Sequence, residues 1–267
     1  MTSIVERRPV VFTLGTAIAI VAVTVAFRLL VAPLLPWLTL DGVGLVLNWV
    51  FVLLVVGLVA WLGWWEKIRL TAPVNRRALV YLLPFAALVL LPVAFGLRIP
   101  EVSLVTGEVL PVWATLLVLV VGVALGAAIL EELLFRGVLL RALESRGPLV
   151  AGILPAVLFG LTHVSKIILG GSVAEWLPSM LLIIPLGIGL AAVTLRLGSL
   201  WPLVLYHFTQ DVTGLLAASQ SSLYVLSTLG LVALVGVMGL WLLWQDHRVF
   251  RAERLAAASD INDPKPT

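Results

Sequence analysis

The chain contains no cysteine, and that one absence removes thiolate catalysis, disulfide stapling and cysteine-held metal centres together. Charge is scarce as well: Asp, Glu, Lys and Arg make up 12% of the 267 residues, about half the share of a soluble domain. Only three histidines occur, so any imidazole chemistry must come from His163, His207 or His247. No Gly-x-Gly-Asp pattern offers a paired-aspartate site, and no His-Glu-x-x-His run lets one helix supply two zinc ligands. Ser172 and Ser199 have no histidine at a spacing that would make either a nucleophile. Basic residues interleaved with aromatics are missing too, so the net charge of +3 does not point to nucleic acid as a partner.

What fills the sequence instead is apolar: 61% of the residues are hydrophobic and the mean hydropathy is +1.16. Such a chain belongs in a lipid bilayer, where backbone groups must bond internally and helices of about 20 residues cross the hydrocarbon. The expected fold is all-α, a polytopic membrane protein with about eight transmembrane helices. The runs fall at 10–32, 43–65, 77–97, 111–140, 149–165, 178–196, 199–217 and 222–244. The first run is too long for a signal-peptide core and lacks a small-residue cleavage pattern, so it counts as a span. Pro33, Pro36 and Pro73 punctuate the early joins, Gly147-Pro148 separates spans four and five, and Gly170-Gly171 precedes span six. Gly187 and Gly189 in span six are small enough to let helices approach closely. The tail from Gln245 reads as a short basic helix followed by a polar, disordered end with Pro264 and Pro266.

Eight spans place both termini on one side, and that side collects Arg7, Arg8, Lys67, Arg69, Arg76, Arg77, Arg136, Arg141, Arg146, Arg196, Arg248, Arg251, Arg254 and Lys265, 14 of the 17 basic residues. The positive-inside bias assigns it to the cytoplasm. The expected location is a multi-pass protein of a prokaryotic inner membrane with both termini cytoplasmic. The ten tryptophans fall mostly near span ends, where interface anchoring accounts for them.

Against this background the ionisable residues inside spans stand out. Glu131, Glu132 and Arg136 interrupt span four, His163 ends span five, and span seven carries His207 and Asp211 four residues apart. A charge within the bilayer costs roughly 2.5 to 3.5 kcal/mol on insertion scales, so such groups pair, line a wet cavity or do chemistry. Glu132 and Arg136, spaced i and i+4 with the acid first, suit an ion pair. Glu131 is then the carboxylate left over. Glu131 and His163 each lie 16 residues from Gly147, about 24 Å along their helices from the hairpin turn, so they meet at one depth. That depth requires the hairpin tip, with Arg141 and Arg146, to project into the cytoplasm, and positive charge there and at Arg196 predicts a cytoplasmic approach for substrate. His247 sits in the basic tail and is not expected to take part.

The ordered set Glu131-Glu132-x-x-x-Arg136, Phe159-x-x-x-His163 and His207-x-x-x-Asp211 resembles the CaaX-protease and bacteriocin-processing (CPBP) family of intramembrane endopeptidases, which includes type II CaaX prenyl endopeptidases. The resemblance covers roughly 111–217. It implies that Glu131 and His163 activate water, that His207 and Asp211 assist at the carbonyl, and that Glu132 and Arg136 are structural support. Phe159 reads as packing. The implied organisation is a three-span region over 1–110, the catalytic core over 111–217, and a final span and tail over 218–267.

Two mechanisms suit these residues. In the metal-free one, Glu131 with His163 deprotonates water, His207 hydrogen-bonds the developing oxyanion and Asp211 orients His207. In the other, Glu131, His163 and His207 hold zinc and leave a position for water. The first is preferred, because a ligating Glu131 would leave only Glu132, on another helical face, as base. The partners implied are the lipid bilayer and a membrane-associated protein or peptide, which a CaaX-type activity would take in lipidated form. Rival readings are a proton-coupled transporter, whose relays use the same residue types, and a non-catalytic immunity or regulatory protein.

Overall fold

A computed structural model describes residues 4–103 and 105–262. The expected tail positions Pro264, Lys265 and Pro266 lie outside the described residues. The chain is all-α, and eight long helices follow a single turn at Ile4–Arg7. They are α1 (Pro9–Leu34), α2 (Leu40–Leu62), α3 (Arg76–Phe95), α4 (Val112–Arg146), α5 (Pro148–Ile168), α6 (Val173–Leu197), α7 (Trp201–Leu215) and α8 (Ser222–Asn262). Among the described residues seven are long and apolar enough to cross a membrane, and α7 is the one that falls short. Its 15 residues reach about 22 Å, less than the roughly 30 Å hydrocarbon thickness.

The brevity of α7 follows from its anchors. Leu200 N–H donates to the Arg69 carbonyl at 2.9 Å and Trp201 N–H to that of Leu70 at 3.1 Å, while Pro202 needs no amide partner in the first turn. At the far end Arg98 N–H donates to Leu216 O at 2.7 Å and Ala218 N–H to Gly96 O at 3.0 Å. Both ends are therefore tied to loops, and His207 and Asp211 are held between fixed points.

The hairpin of α4 and α5 turns where the sequence predicts. Gly147 has φ +93°, in the left-handed region that suits glycine, and Pro148 opens α5. The tip is braced by α8, which continues as one helix to Asn262 instead of breaking near 244 into a separate basic segment. A β-carbon at Gly147 would stand 2.9 Å from the Phe250 ring. Arg196 of α6 adds a clasp, with Nη2 2.6 Å from Asp246 Oδ1 and 3.2 Å from Gln245 Oε1.

Helix α6 is the most enclosed. It packs on α5 and α8, and its glycines allow the approach: a β-carbon at Gly189 would lie 2.3 Å from the Val235 side chain, and one at Gly187 would lie 3.1 Å from that of Ala156. On the other flank α2 packs on α4, where Trp49 donates to the Gly122 carbonyl at 2.9 Å. That bond is an intramembrane anchor, so Trp49 is no interface residue. Helix α1 packs on α5 and meets α2 through side chains, Phe27 with Val43 and Leu47, and Ala17 with Val55 and Val59, while its backbone stays apart from that of α2. A space is left between them.

Candidate active site

Helix α4 changes hydrogen-bonding pattern around the paired acids. It is π-helical over Val118–Leu125, α-helical over Gly126–Glu131 and π-helical again over Glu132–Leu139. Wide turns of this kind cluster at functional sites. Even so, Arg136 Nη1 reaches Glu132 Oε1 at 2.9 Å, and both side chains are buried, at 2% and 0% exposure. The guanidinium is fixed from its other side by the Phe159 ring, whose centroid lies 4.5 Å away.

His163 sits where α5 breaks. The regular helix ends at Thr162 and resumes at Val164, because the His163 amide bonds to Gly160 O, at 3.2 Å, rather than to Phe159 O. The released Phe159 carbonyl accepts the Thr162 hydroxyl at 3.0 Å and the His163 ring at 2.8 Å through Nδ1. A carbonyl can only accept, so Nδ1 carries the proton and Nε2 stays open. The ring lies edge-on to Phe159, with centroids 5.1 Å apart, and stacked near Trp176 at 6.5 Å.

His207 approaches the paired acids from α7. Its Nδ1 is 2.8 Å from Glu132 Oε1, its Nε2 is 3.4 Å from Glu131 Oε2, and Asp211 Oδ2 is 3.7 Å from the same Nε2. Glu131, Glu132, His207 and Asp211 thus form one cluster from two helices. This revises two expectations. Glu132 is more than the partner of Arg136, since the same oxygen meets His207. Asp211 is farther from the ring than Glu132 and faces the opposite nitrogen, so the shorter carboxylate contact of His207 is with Glu132.

A cavity of about 480 Å³ joins part of this set. Glu131 and His163 both line it, with Phe159 and Trp176, while α1 and α2 provide an apolar wall that includes Ala19, Ile20, Phe51 and Leu54. His207 and Asp211 join the set through Glu131, whose Oε2 is 3.4 Å from His207 Nε2. The cavity runs from Glu131 toward Asp41, Lys166 and Trp176, which lie at the end of the bundle away from the hairpin tip. Of the basic residues expected around the mouth, Arg141 is buried against Glu144 and Arg196 is clasped by α8, while Arg146 is exposed at the hairpin tip.

The zinc alternative can be tested on the donors. Among the described residues no three His, Asp or Glu side chains are spaced to hold a metal ion.

Sequence reasoning gave Phe159 too small a part. Besides stacking on Arg136, its ring lies 4.9 Å from that of Phe135 and 6.5 Å from that of His207, and its carbonyl orients His163. The i, i+4 spacing of Phe159 and His163 was the available signal.

Residues 111–213 match the family described as type II CAAX prenyl endopeptidase Rce1-like. That stretch of the chain is similar to the Rce1-like family. The match spans α4 to α7, the helices that carry every residue of the cluster. No curated protein and no solved structure matches the chain. The matched family is one of CAAX-type endopeptidases, and the likeness supports a protease acting on a peptide or protein at the membrane.

Proposed function

We propose that this chain hydrolyses peptide bonds of membrane-associated proteins, CaaX-like lipidated ones among them, using water activated between Glu131 and His163. The observation that carries the reading is that these two side chains, from different helices, share the wall of one apolar cavity while His207 backs Glu131 at 3.4 Å. Glu131 takes a proton from water as the water oxygen bonds to the peptide carbon. The open Nε2 of His163 accepts the second water hydrogen and orients the nucleophile. The carbonyl electron pair moves to oxygen, and His207, doubly protonated, donates from Nε2 to that oxyanion. Collapse breaks the carbon–nitrogen bond, and Glu131 returns its proton to the leaving amine.

Orientation rests on charge. The basic residues at the hairpin end put that tip and both termini in the cytoplasm, in a prokaryotic inner membrane. Of the routes to Glu131, past the hairpin tip, from the opposite end past Lys166 and Trp176, or sideways from the bilayer, the apolar wall of α1 and α2 favours the sideways one. A substrate already held in the membrane suits such a route. The test is cleavage of a membrane-anchored peptide by purified protein in nanodiscs. Glu131→Gln and His163→Ala should each abolish it in protein that remains folded, and normal turnover in either would end the assignment.

A further inference from the structure

We propose that Glu132 is the positioning residue for His207 and that Arg136 serves by holding Glu132 in place. This deepens the endopeptidase reading and rests on it. One carboxylate oxygen, Glu132 Oε1, accepts from Arg136 Nη1 at 2.9 Å and from His207 Nδ1 at 2.8 Å. A carboxylate offers no proton, so Nδ1 of His207 is protonated in either charge state of the ring and Nε2 is the working nitrogen. That nitrogen is the one turned toward Glu131 and Asp211. An orienting carboxylate on the far side of a working imidazole fixes which nitrogen works and where it points.

The support beneath Glu132 is built for rigidity. The carboxylate is fully buried, so no bulk water competes for its oxygen. Arg136 is packed on Phe159, and Phe159 lies edge-on to both His163 and His207. Glu131 stands on the cavity wall, while Glu132, where the π-helical turns begin, is fully buried. A clamp that only neutralised Arg136 would have no need to share its oxygen with a histidine from another helix.

Glu132 alone cannot be deleted cleanly, because Arg136 would be stranded in the interior. The paired variant Glu132→Leu with Arg136→Met removes both charges and tends to restore packing. Its melting temperature should approach that of the parent while kcat stays at least 100-fold down and KM changes less than threefold. A structural clamp would instead regain kcat along with stability, and that result would overturn the proposal. A second readout needs no turnover: the ring nitrogen NMR shifts of His207, assigned by their loss in His207→Ala. In the parent Nδ1 should be protonated, and in the paired variant that proton should be lost or shared with Nε2. An unchanged Nδ1 signal would refute positioning even if no peptide were ever cleaved. Absence of cleavage by the parent, with the shift observed, would refute the endopeptidase reading alone.

Discussion

His207 Nε2 lies 3.4 Å from Glu131 Oε2, across the boundary between α7 and α4. The contact brings the leftover acid of span four against the ring that faces it from span seven.

Removing the charge of Glu132 should cost more stability than removing that of Glu131. Glu132 is fully buried against Arg136, whereas the side chain of Glu131 is 20% exposed at a cavity wall. Breaking a buried pair costs about 3 to 5 kcal/mol. Thermal melting in detergent should rank Glu132→Gln well below Glu131→Gln, and equal melting would contradict the burial argument.

Phe159→Leu should leave a folded protein, since a similar apolar volume is kept. It removes the ring that stacks on Arg136 and flanks both histidines. About a tenfold fall in kcat, worth about 1.4 kcal/mol in the barrier, with little change in KM is the expected kinetic signature. A rise in KM alone would make Phe159 a substrate contact.

Ala19→Trp should obstruct the space between α1 and α2. Ala19 lines the cavity from α1, on the wall opposite the catalytic set. If substrate arrives sideways from the bilayer, KM should rise several-fold with kcat nearly preserved, as for a loss of uniform binding. Unchanged KM would place the route elsewhere.

The native absence of cysteine makes sidedness directly measurable. Ser145→Cys, at the exposed hairpin tip, should react with a membrane-impermeant maleimide from the cytoplasmic side only. Ser172→Cys, at the opposite end, should react only from outside. The reverse pattern would invert the topology while leaving the cluster intact.

Much of this arrangement could be read from sequence because a bilayer makes charge expensive. Glu131, Glu132, Arg136, His163, His207 and Asp211 stood out against apolar surroundings, and the shared distance from Gly147 anticipated that Glu131 and His163 would meet one cavity. Three features could not be read. The π-helical turns of α4 have no composition of their own, so a uniform 100° per residue hid the reach of Glu132 to another helix. The shortness of α7 depends on hydrogen bonds from Arg69, Leu70, Gly96 and Arg98, which are remote in sequence. The contact of α8 with the hairpin tip is made at His247 and Phe250, which are remote from Gly147 in sequence, and the helix runs on to Asn262 with 251–258 exposed.

The account turns on Glu131 as the group that activates water. The most direct measurement is single-turnover cleavage of a membrane-anchored peptide by parent and Glu131→Gln proteins, purified side by side in nanodiscs and shown to melt alike. The account predicts that the parent releases a new amino terminus and that the variant is at least 1,000-fold slower, about 4 kcal/mol in the barrier. Cleavage by Glu131→Gln at a rate within tenfold of the parent would contradict it.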